Sequence, residues 1–129
     1  MKSPVPDHDH PHPFSFPPQR RLRHSREFRK VFDHRQSVSD QTLILYGQPN
    51  GLKYGRLGLS VSKKAGNAVI RNRWKRRIRE GFRQQPNAVA GWDWVVIPRR
   101  GATCDTLQIA KSLATLTNRL RKLQRRHRS

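Results

Sequence analysis

The most distinctive chemical feature of the sequence is a run of positive charge between Ser60 and Arg83. This stretch contains nine Lys or Arg residues and one carboxylate, Glu80. Wound as a helix at about 100° per residue, the part after Ala68 gathers four apolar side chains on one arc: Ile70, Trp74, Ile78 and Phe82. The opposite arc carries one amide and four cations: Asn72, Lys75, Arg76, Arg79 and Arg83. Because like charges repel, such a face is typical of a surface that binds a polyanion.

The whole chain has the same character. Its 129 residues include 28 Lys or Arg and 8 Asp or Glu, which gives a formal net charge of +20. This balance favours a nucleic-acid partner. We expect no membrane partner and a cytoplasmic location, because no apolar run approaches the roughly 20 residues that span a bilayer and no signal peptide is evident. The single cysteine, Cys104, excludes an internal disulfide and a cysteine-based zinc site.

Few residues are suited to catalysis or metal binding. The carboxylates are scattered, and no pair has a spacing that would hold two Mg²⁺ ions for protein-based cleavage of a phosphodiester. We therefore expect no catalytic residue and no metal site on the protein. His8, His10 and His12 alternate near the N-terminus and could hold a transition metal. Their proline-rich surroundings favour incidental composition instead, since such segments rarely hold a fixed geometry.

Three aromatic residues could form a groove beside the cations. Phe28 and Phe32 lie one predicted helical turn apart, and Tyr46 lies on the strand that follows. Single-stranded nucleic acids are bound where bases stack on rings while Lys and Arg follow the backbone. Spacing alone favours Phe28 and Phe32 as core anchors of a short helix, with the groove as the alternative. We assign three other rings to the core or its edge: Trp74, Trp92 and Trp94.

The domain that positions these residues is predicted to span 19–126. Residues 1–18 are rich in proline and histidine and are predicted to be a disordered or extended arm, and 127–129 a basic C-terminal fray. The length allows one domain.

The first half of that domain is predicted to contain one helix and two strand regions. Ser25 is a plausible N-cap for a helix through Asp33. The region Ser37 to Gln48 is predicted to be a strand, with a possible split in two, and a turn follows at Pro49. A second strand is predicted from Tyr54 to Ser62. Its glycines, and Gly66 after it, are interpreted as turn and strand residues rather than a phosphate-binding loop.

The second half is predicted to contain the central helix, a buried strand and a final helix. Gly66 and Asn67 supply a break and a cap for the central helix, which should end near Pro86. Trp92 to Pro98 is apolar enough for a strand buried on both faces. Thr103 can cap the last helix, whose packing face is marked by leucines at helical spacing: Leu113, Leu116, Leu120 and Leu123. The order α-β-β-α-β-α predicts an α+β fold with helices layered on one sheet.

A resemblance to a known family rests on the central motif. The stretch LGLSVSKKAGNAVIRNRWKRRIRE, from Leu57 to Glu80, closely resembles the signature of the protein subunit of bacterial ribonuclease P. It includes the triplet Arg71-Asn72-Arg73. RLRHSREFRKVF at 21–32 is similar to that family's first helix, and LILY and WVVIPRRGA also fall where the family places them. The resemblance covers roughly Phe14 to Arg126, and the arm before Phe14 departs from the family pattern.

The resemblance implies a more specific fold than the periodicity does. It implies a single α+β domain with a four-stranded sheet and a left-handed β-α-β crossover, similar to a domain of a small-subunit ribosomal protein. Without the resemblance, the expected hand would be right-handed.

The resemblance also implies a function and a set of site residues. In this family the RNA subunit is the catalyst, and Mg²⁺ is held mainly by that RNA and the substrate. The protein binds the catalytic RNA subunit and the single-stranded 5′ leader of precursor tRNA, as a monomer with one copy per RNA subunit. The implied leader cleft is lined by Phe28, Phe32, Tyr46, Asn72, Lys75 and Arg79. The implied basic motif that meets RNA phosphates comprises Lys63, Lys64, Arg71, Arg73 and Arg76.

Two other classes of protein remain as alternatives. A ribosomal or general RNA-binding protein would explain the charge and the fold, but it would have no use for a ring-lined groove. A nuclease that acts without RNA would require paired carboxylates, which the sequence lacks.

Overall fold

A four-stranded mixed sheet lies at the centre of the protein, in a computed structural model that describes residues 18–128. The strands are β1 (Ser37–Ser39), β2 (Leu43–Pro49), β3 (Arg56–Leu59) and β4 (Trp92–Pro98). Their spatial order is β1-β2-β4-β3. β2 runs antiparallel to both β1 and β4, whereas β3 runs parallel to β4.

Four helices pack around this sheet. They are α1 (Ser25–Asp33), α2 (Ala68–Arg83), the short α3 (Pro86–Val89) and α4 (Thr106–Arg128), with 3-10 turns at Pro18–Arg20 and Lys63–Ala65. The predicted α+β class, the four-stranded sheet and the order of the main elements are confirmed. Residues 1–17, which include the three alternating histidines, lie outside the described part, so the predicted domain boundaries stay predictions.

The two faces of the sheet bury different sets of residues. On β2, Leu43 and Leu45 are fully buried, whereas Ile44 and Tyr46 are half-buried, because successive side chains of a strand point to opposite faces. The Leu45 face packs against α2 and α4 and forms the main core. The Tyr46 face carries α1, with a smaller cluster around Leu22, Val31 and Val95. The prediction that β4 is buried on both faces is confirmed for Trp92 to Val96.

Helix α2 begins as the sequence predicts. The Asn67 side chain caps the helix by accepting a hydrogen bond from Ile70 N–H at 3.0 Å. Gly66 before it has φ of 140°, where a Cβ atom would also come within 2.9 Å of Ile70. Of the predicted core arc, three members are buried and Ile70 packs at the edge of the core.

The packing faces of the tryptophans and leucines also follow the prediction. All three tryptophans are buried. On α4, three of the four predicted leucines are buried and Leu123 is partly buried against them. Because β3 and β4 are parallel and joined through α2, the three elements form a β-α-β crossover. The left hand implied for it stays a prediction.

Two predicted caps are wrong. The N-cap of α1 is His24, and Ser25 is already helical. Helix α4 starts at Thr106, where Asp105 Oδ1 accepts a hydrogen bond from Gln108 N–H at 2.9 Å. Thr103 lies outside the helix and accepts from Asp105 N–H. At α4 the Asp105 carboxylate thus satisfies one of the first free N–H groups of the helix.

The strand boundaries also differ in part. The possible split of the first strand region is confirmed, because Asp40 Oδ1 accepts from Thr42 and Leu43 N–H at 2.8 and 2.9 Å and turns the chain between β1 and β2. The second predicted strand, Tyr54–Ser62, was too long at both ends. Tyr54 is held in the preceding loop, where its carbonyl accepts from Asn50 Nδ2, and Ser62 caps the 3-10 turn that follows.

A polar network attaches the start of α1 to the sheet. Glu27 Oε1 accepts hydrogen bonds from the Arg23 and His24 N–H groups at 2.9 and 3.0 Å. Its other oxygen lies 3.5 Å from Arg56 Nη1. Arg56 in turn binds the buried Asp93 carboxylate through Nε and Nη2, at 2.7 and 2.6 Å. The hydrogen bonds from Arg23 N–H and then His24 N–H lower the pKa of Glu27 below its usual range.

The lowered pKa of Glu27 gives a testable dependence of stability on pH. Glu27→Gln should reduce the free energy of unfolding by about 1 kcal/mol at neutral pH, because it removes a charged acceptor at a helix N-terminus. A group with a depressed folded-state pKa stabilises above its unfolded pKa and stops doing so as pH falls through the folded value. In urea unfolding, the difference in free energy of unfolding between wild type and Glu27→Gln should therefore stay constant from pH 7 down to about pH 4.3, the unfolded pKa of Glu, and become smaller below that pH. A difference independent of pH would contradict this assignment.

Candidate nucleic-acid interface

Three aromatic rings meet on the sheet face that carries α1. Phe28 and Phe32 extend from α1, and Phe32 contacts Tyr46 of β2 edge to face, with ring centroids 4.8 Å apart. All three rings are half-buried and pack against the small cluster around Val31. We call Phe28, Phe32 and Tyr46 the ring cluster. Each ring therefore contributes to packing, as the core interpretation requires, and also retains exposed area, as the groove interpretation requires.

A glycine on β3 allows Phe28 to lie directly on the sheet. A Cβ atom at Gly58 would stand 2.8 Å from two atoms of the Phe28 ring, closer than van der Waals contact allows. The sequence identified Gly58 only as a strand glycine. The reason for the glycine is visible only in three dimensions, because the contact joins residues 30 positions apart in sequence.

Phe28 also borders the cationic face of α2. A depression of about 370 Å³ is lined by Phe28 together with Lys75, Arg79 and residues of β3. A second depression, of about 540 Å³, is lined by Asn72, Lys75 and Arg79. Since Lys75 and Arg79 line both, the two depressions form one continuous surface. We call this surface the cleft.

The structure thus brings together the six predicted cleft residues in two groups. Phe32 and Tyr46 contact each other on the sheet face, whereas Asn72 lies with Lys75 and Arg79 along α2. Phe28 connects the groups, because it belongs to the ring cluster and lines the cleft.

The predicted basic motif lies around the start of α2. Lys63 and Lys64 are exposed in the 3-10 turn before the helix. Within the helix, Arg73 is exposed and Arg71 is half-buried. The fifth member, Arg76, is exposed and lines the cleft beside Asn72. The helix N-terminus adds a partial positive charge here, so this region is suited to phosphate groups.

Arg21 is a cleft residue that the sequence did not predict. It lines both depressions, although no periodic pattern marks it. Its position comes from a β-bridge with Leu57 and a hydrogen bond from Leu22 N–H to Leu57 O at 2.9 Å, which hold the segment before α1 along β3. Only the tertiary structure reveals this pairing.

The cations of the cleft are held partly away from water. Burial, and then the nearby Arg21 charge, lower the pKa of the Arg79 guanidinium. Arginine nevertheless stays charged near neutral pH. A bound phosphate would offset this cost, so the electrostatics of the cleft favour an anionic ligand.

The described residues offer little for metal binding or membrane insertion. Among residues 19–125, whose side chains the structure describes, no group of three or more His, Cys, Asp or Glu could hold a metal ion. In the same range, no helix is long and apolar enough to cross a bilayer.

Comparisons with known proteins show what the chain is similar to. A family model described as Ribonuclease P matches residues 16–121. The ribonuclease P protein component of Stutzerimonas stutzeri is 42% identical over 105 residues, which is 79% of this chain and 80% of the relative. That of Halalkalibacterium halodurans is 42% identical over 95 residues, or 72% and 80% of the two chains.

Solved structures give the same result. The structure of the Staphylococcus aureus RNase P protein matches with a TM-score of 0.69 and 37% identity, and the match covers 77% of this chain and 93% of that one. The RNase P protein from Thermotoga maritima matches with a TM-score of 0.69 and 34% identity, covering 77% and 96%.

The cleft predicts a specific dependence of RNA binding on salt. Arg79→Gln should flatten the slope of log affinity against log salt by about 0.7 for a single-stranded RNA, because one phosphate contact is lost. Fluorescence anisotropy across a salt series measures this slope. Lys111→Gln removes the same charge from an exposed position on α4 and should leave the slope nearly unchanged. Equal changes in the two variants would show that only net charge matters.

Proposed function

The chain belongs to the family of ribonuclease P protein components, and from this premise we propose that its cleft binds the single-stranded 5′ leader of precursor tRNA. Ribonuclease P is a ribonucleoprotein endoribonuclease of tRNA processing, and this chain is its RNA-binding protein component. The proposal therefore concerns how the protein binds RNA and which residues do so.

One observation supports the leader site above all others. Phe28, Lys75 and Arg79 line the same depression, so a ring and two cations are available to one strand. Bases stack on rings regardless of sequence, while cations follow the phosphates. Duplex RNA would keep its bases stacked on each other, so this combination favours an unpaired strand. Asn72 adds an amide that can donate to and accept from a base edge.

The basic motif supports the second part of the proposal, which is contact with the catalytic RNA subunit. Four of its five cations lie at or just before the first turns of α2, and the fifth, Arg76, lines the cleft. A folded RNA and a bound leader would then lie side by side on the protein, whose charges screen the repulsion between them. The proposal includes one protein per RNA subunit, precursor tRNA as the substrate and a location in the bacterial cytoplasm.

In this proposal, Mg²⁺ is held mainly by the RNA subunit and the substrate. The described side chains do not fit a protein-held site, because no group of three or more potential ligands is found between residues 19 and 125. The part assigned to the protein is binding and positioning: rings hold bases, and cations hold phosphates.

The leader site can be tested at Phe32. Phe32→Ala should weaken binding of precursor tRNA by about 1 to 3 kcal/mol, the loss expected for one stacking contact. Binding of mature tRNA and of the RNA subunit should stay nearly unchanged. Titrations of the protein with precursor and mature tRNA measure the difference.

Phe32→Leu is the matched control, because it keeps much of the apolar volume and removes the ring. Under the proposal, the Phe32→Leu variant also binds the leader more weakly, and its melting temperature stays near that of the wild type. If it lost stability and kept leader affinity, Phe32 would be a core anchor. If the wild-type protein bound precursor and mature tRNA equally, the protein would be a general RNA-binding protein.

Gly58 provides an independent test through Phe28. Gly58→Ala should displace the Phe28 ring, because the added methyl group would overlap it. Leader affinity should fall, again by about 1 to 3 kcal/mol. In a Phe28→Ala background, the Gly58 substitution should have little further effect, as a double-mutant cycle would show. Additive losses would mean that Gly58 acts on the sheet and not through the ring.

A further inference from the structure

The cationic surface does not end at the cleft. Arg83 lines the cleft and also a smaller depression of about 150 Å³, which lies around Arg20, Lys53 and Tyr54. We call this depression the distal pocket. At about 1.5 Å per residue, the path from Asn72 to Arg83 is about 16 Å long. One continuous surface therefore runs from the ring cluster through the cleft to the distal pocket.

The distal pocket combines cations with one ring. The Arg20 guanidinium lies over the Tyr54 ring, 5.3 Å from its centroid, which is a cation–π contact that orients the arginine. Lys53 next to it is exposed. Among the described residues that line the distal pocket, none is a carboxylate. The charge of this pocket is therefore positive and favours an anion.

Arg83 connects the distal pocket to the cleft and keeps a donor for a ligand. One of its terminal nitrogens donates to the Glu80 carboxylate. Its Nε atom is buried and has no hydrogen-bond acceptor in the described part of the chain. The Arg83 side chain as a whole is nevertheless 31% exposed, so its guanidinium can also meet an anionic ligand.

The walls of the distal pocket are fixed by close packing. A Cβ atom at Gly55 would stand 2.3 Å from the Val89 carbonyl oxygen, so the loop that carries Tyr54 lies directly against α3. Asn50 secures the other end of this loop, because its N–H donates to Gly91 O at 2.9 Å and its Nδ2 to Tyr54 O at 3.3 Å. The loop backbone that carries Tyr54 is thus held in place before any ligand binds.

We propose that the distal pocket binds a phosphate of leader nucleotides that lie upstream of those in the cleft. This proposal rests on the leader site proposed above. The basic motif, and with it the RNA subunit that makes the cut, lies at the start of α2. Nucleotides near the cleavage point therefore lie near that end, and those further upstream run toward Arg83 at the other end.

Leader length tests the proposal. Precursor tRNAs whose leaders are lengthened one nucleotide at a time are titrated with the full chain. For the wild type, affinity should rise as the leader fills the cleft and again as it reaches the distal pocket. Lys53→Gln should abolish the second rise, a loss of up to about fivefold, and leave affinity for short leaders unchanged. Tyr54→Leu should behave in the same way, because Arg20 loses the ring that orients it, whereas Tyr54→Phe should keep the second rise.

Lys111→Gln is the charge-matched control. Its affinity should rise with leader length in the same two steps as that of the wild type. If Lys53→Gln followed Lys111→Gln at every leader length, the distal pocket would have no role in binding the leader. That result would leave the cleft untouched, since the first rise would persist. If the wild type showed no dependence on leader length at all, both the leader site and the distal pocket would be wrong.

Discussion

The geometry of the RNA surface depends on one partly buried ion pair. Arg56 on β3 binds Asp93 on the neighbouring strand through two nitrogens and also approaches Glu27 at the start of α1. Asp93 is only 4% exposed, so its charge requires this partner. The hydrogen bonds that Arg56 donates to the Asp93 carboxylate raise the pKa of Arg56, which is consistent with a pair that stays ionised. Because Phe28 and Phe32 lie on α1, this link, together with the packing of Phe28 on Gly58, holds two rings of the ring cluster in position beside the cations of α2.

Concentrated positive charge is the second constraint. Helix α2 carries its cations on one face while its other face supplies Trp74, Ile78 and Phe82 to the main core. Apolar burial thus stabilises a helix whose charged face is unfavourable in isolation. Under the proposed function, RNA phosphates would offset this repulsion when they bind the face. In the proposed function this surface binds RNA by charge and by stacking, which is the part expected of the protein component of a ribonucleoprotein enzyme.

Much of this arrangement was predictable from the sequence, for identifiable physical reasons. The 3.6-residue period placed the α2 core face correctly, and Asn67 was a cap because its side chain reaches the first free N–H groups. The caps of α1 and α4 were missed where a neighbouring polar residue took the role. Three features were not predictable, because each joins residues that are distant in sequence and follows no periodic pattern. They are the position of Arg21 in the cleft, the contact of Gly58 with Phe28 and the pairing of Arg56 with Asp93. Spacing also left the ring cluster ambiguous, and the structure explains why: its rings are half-buried and serve packing while keeping exposed area.

The most direct test of the account is reconstitution with a bacterial ribonuclease P RNA. Cleavage of precursor tRNA would be measured at a Mg²⁺ concentration too low for the RNA to act alone. We expect cleavage at the mature 5′ end only when RNA and protein are both present, with a rate advantage that disappears when the leader is too short to reach the cleft. Cleavage by the protein without RNA, or an RNA reaction that the protein does not change, would contradict it.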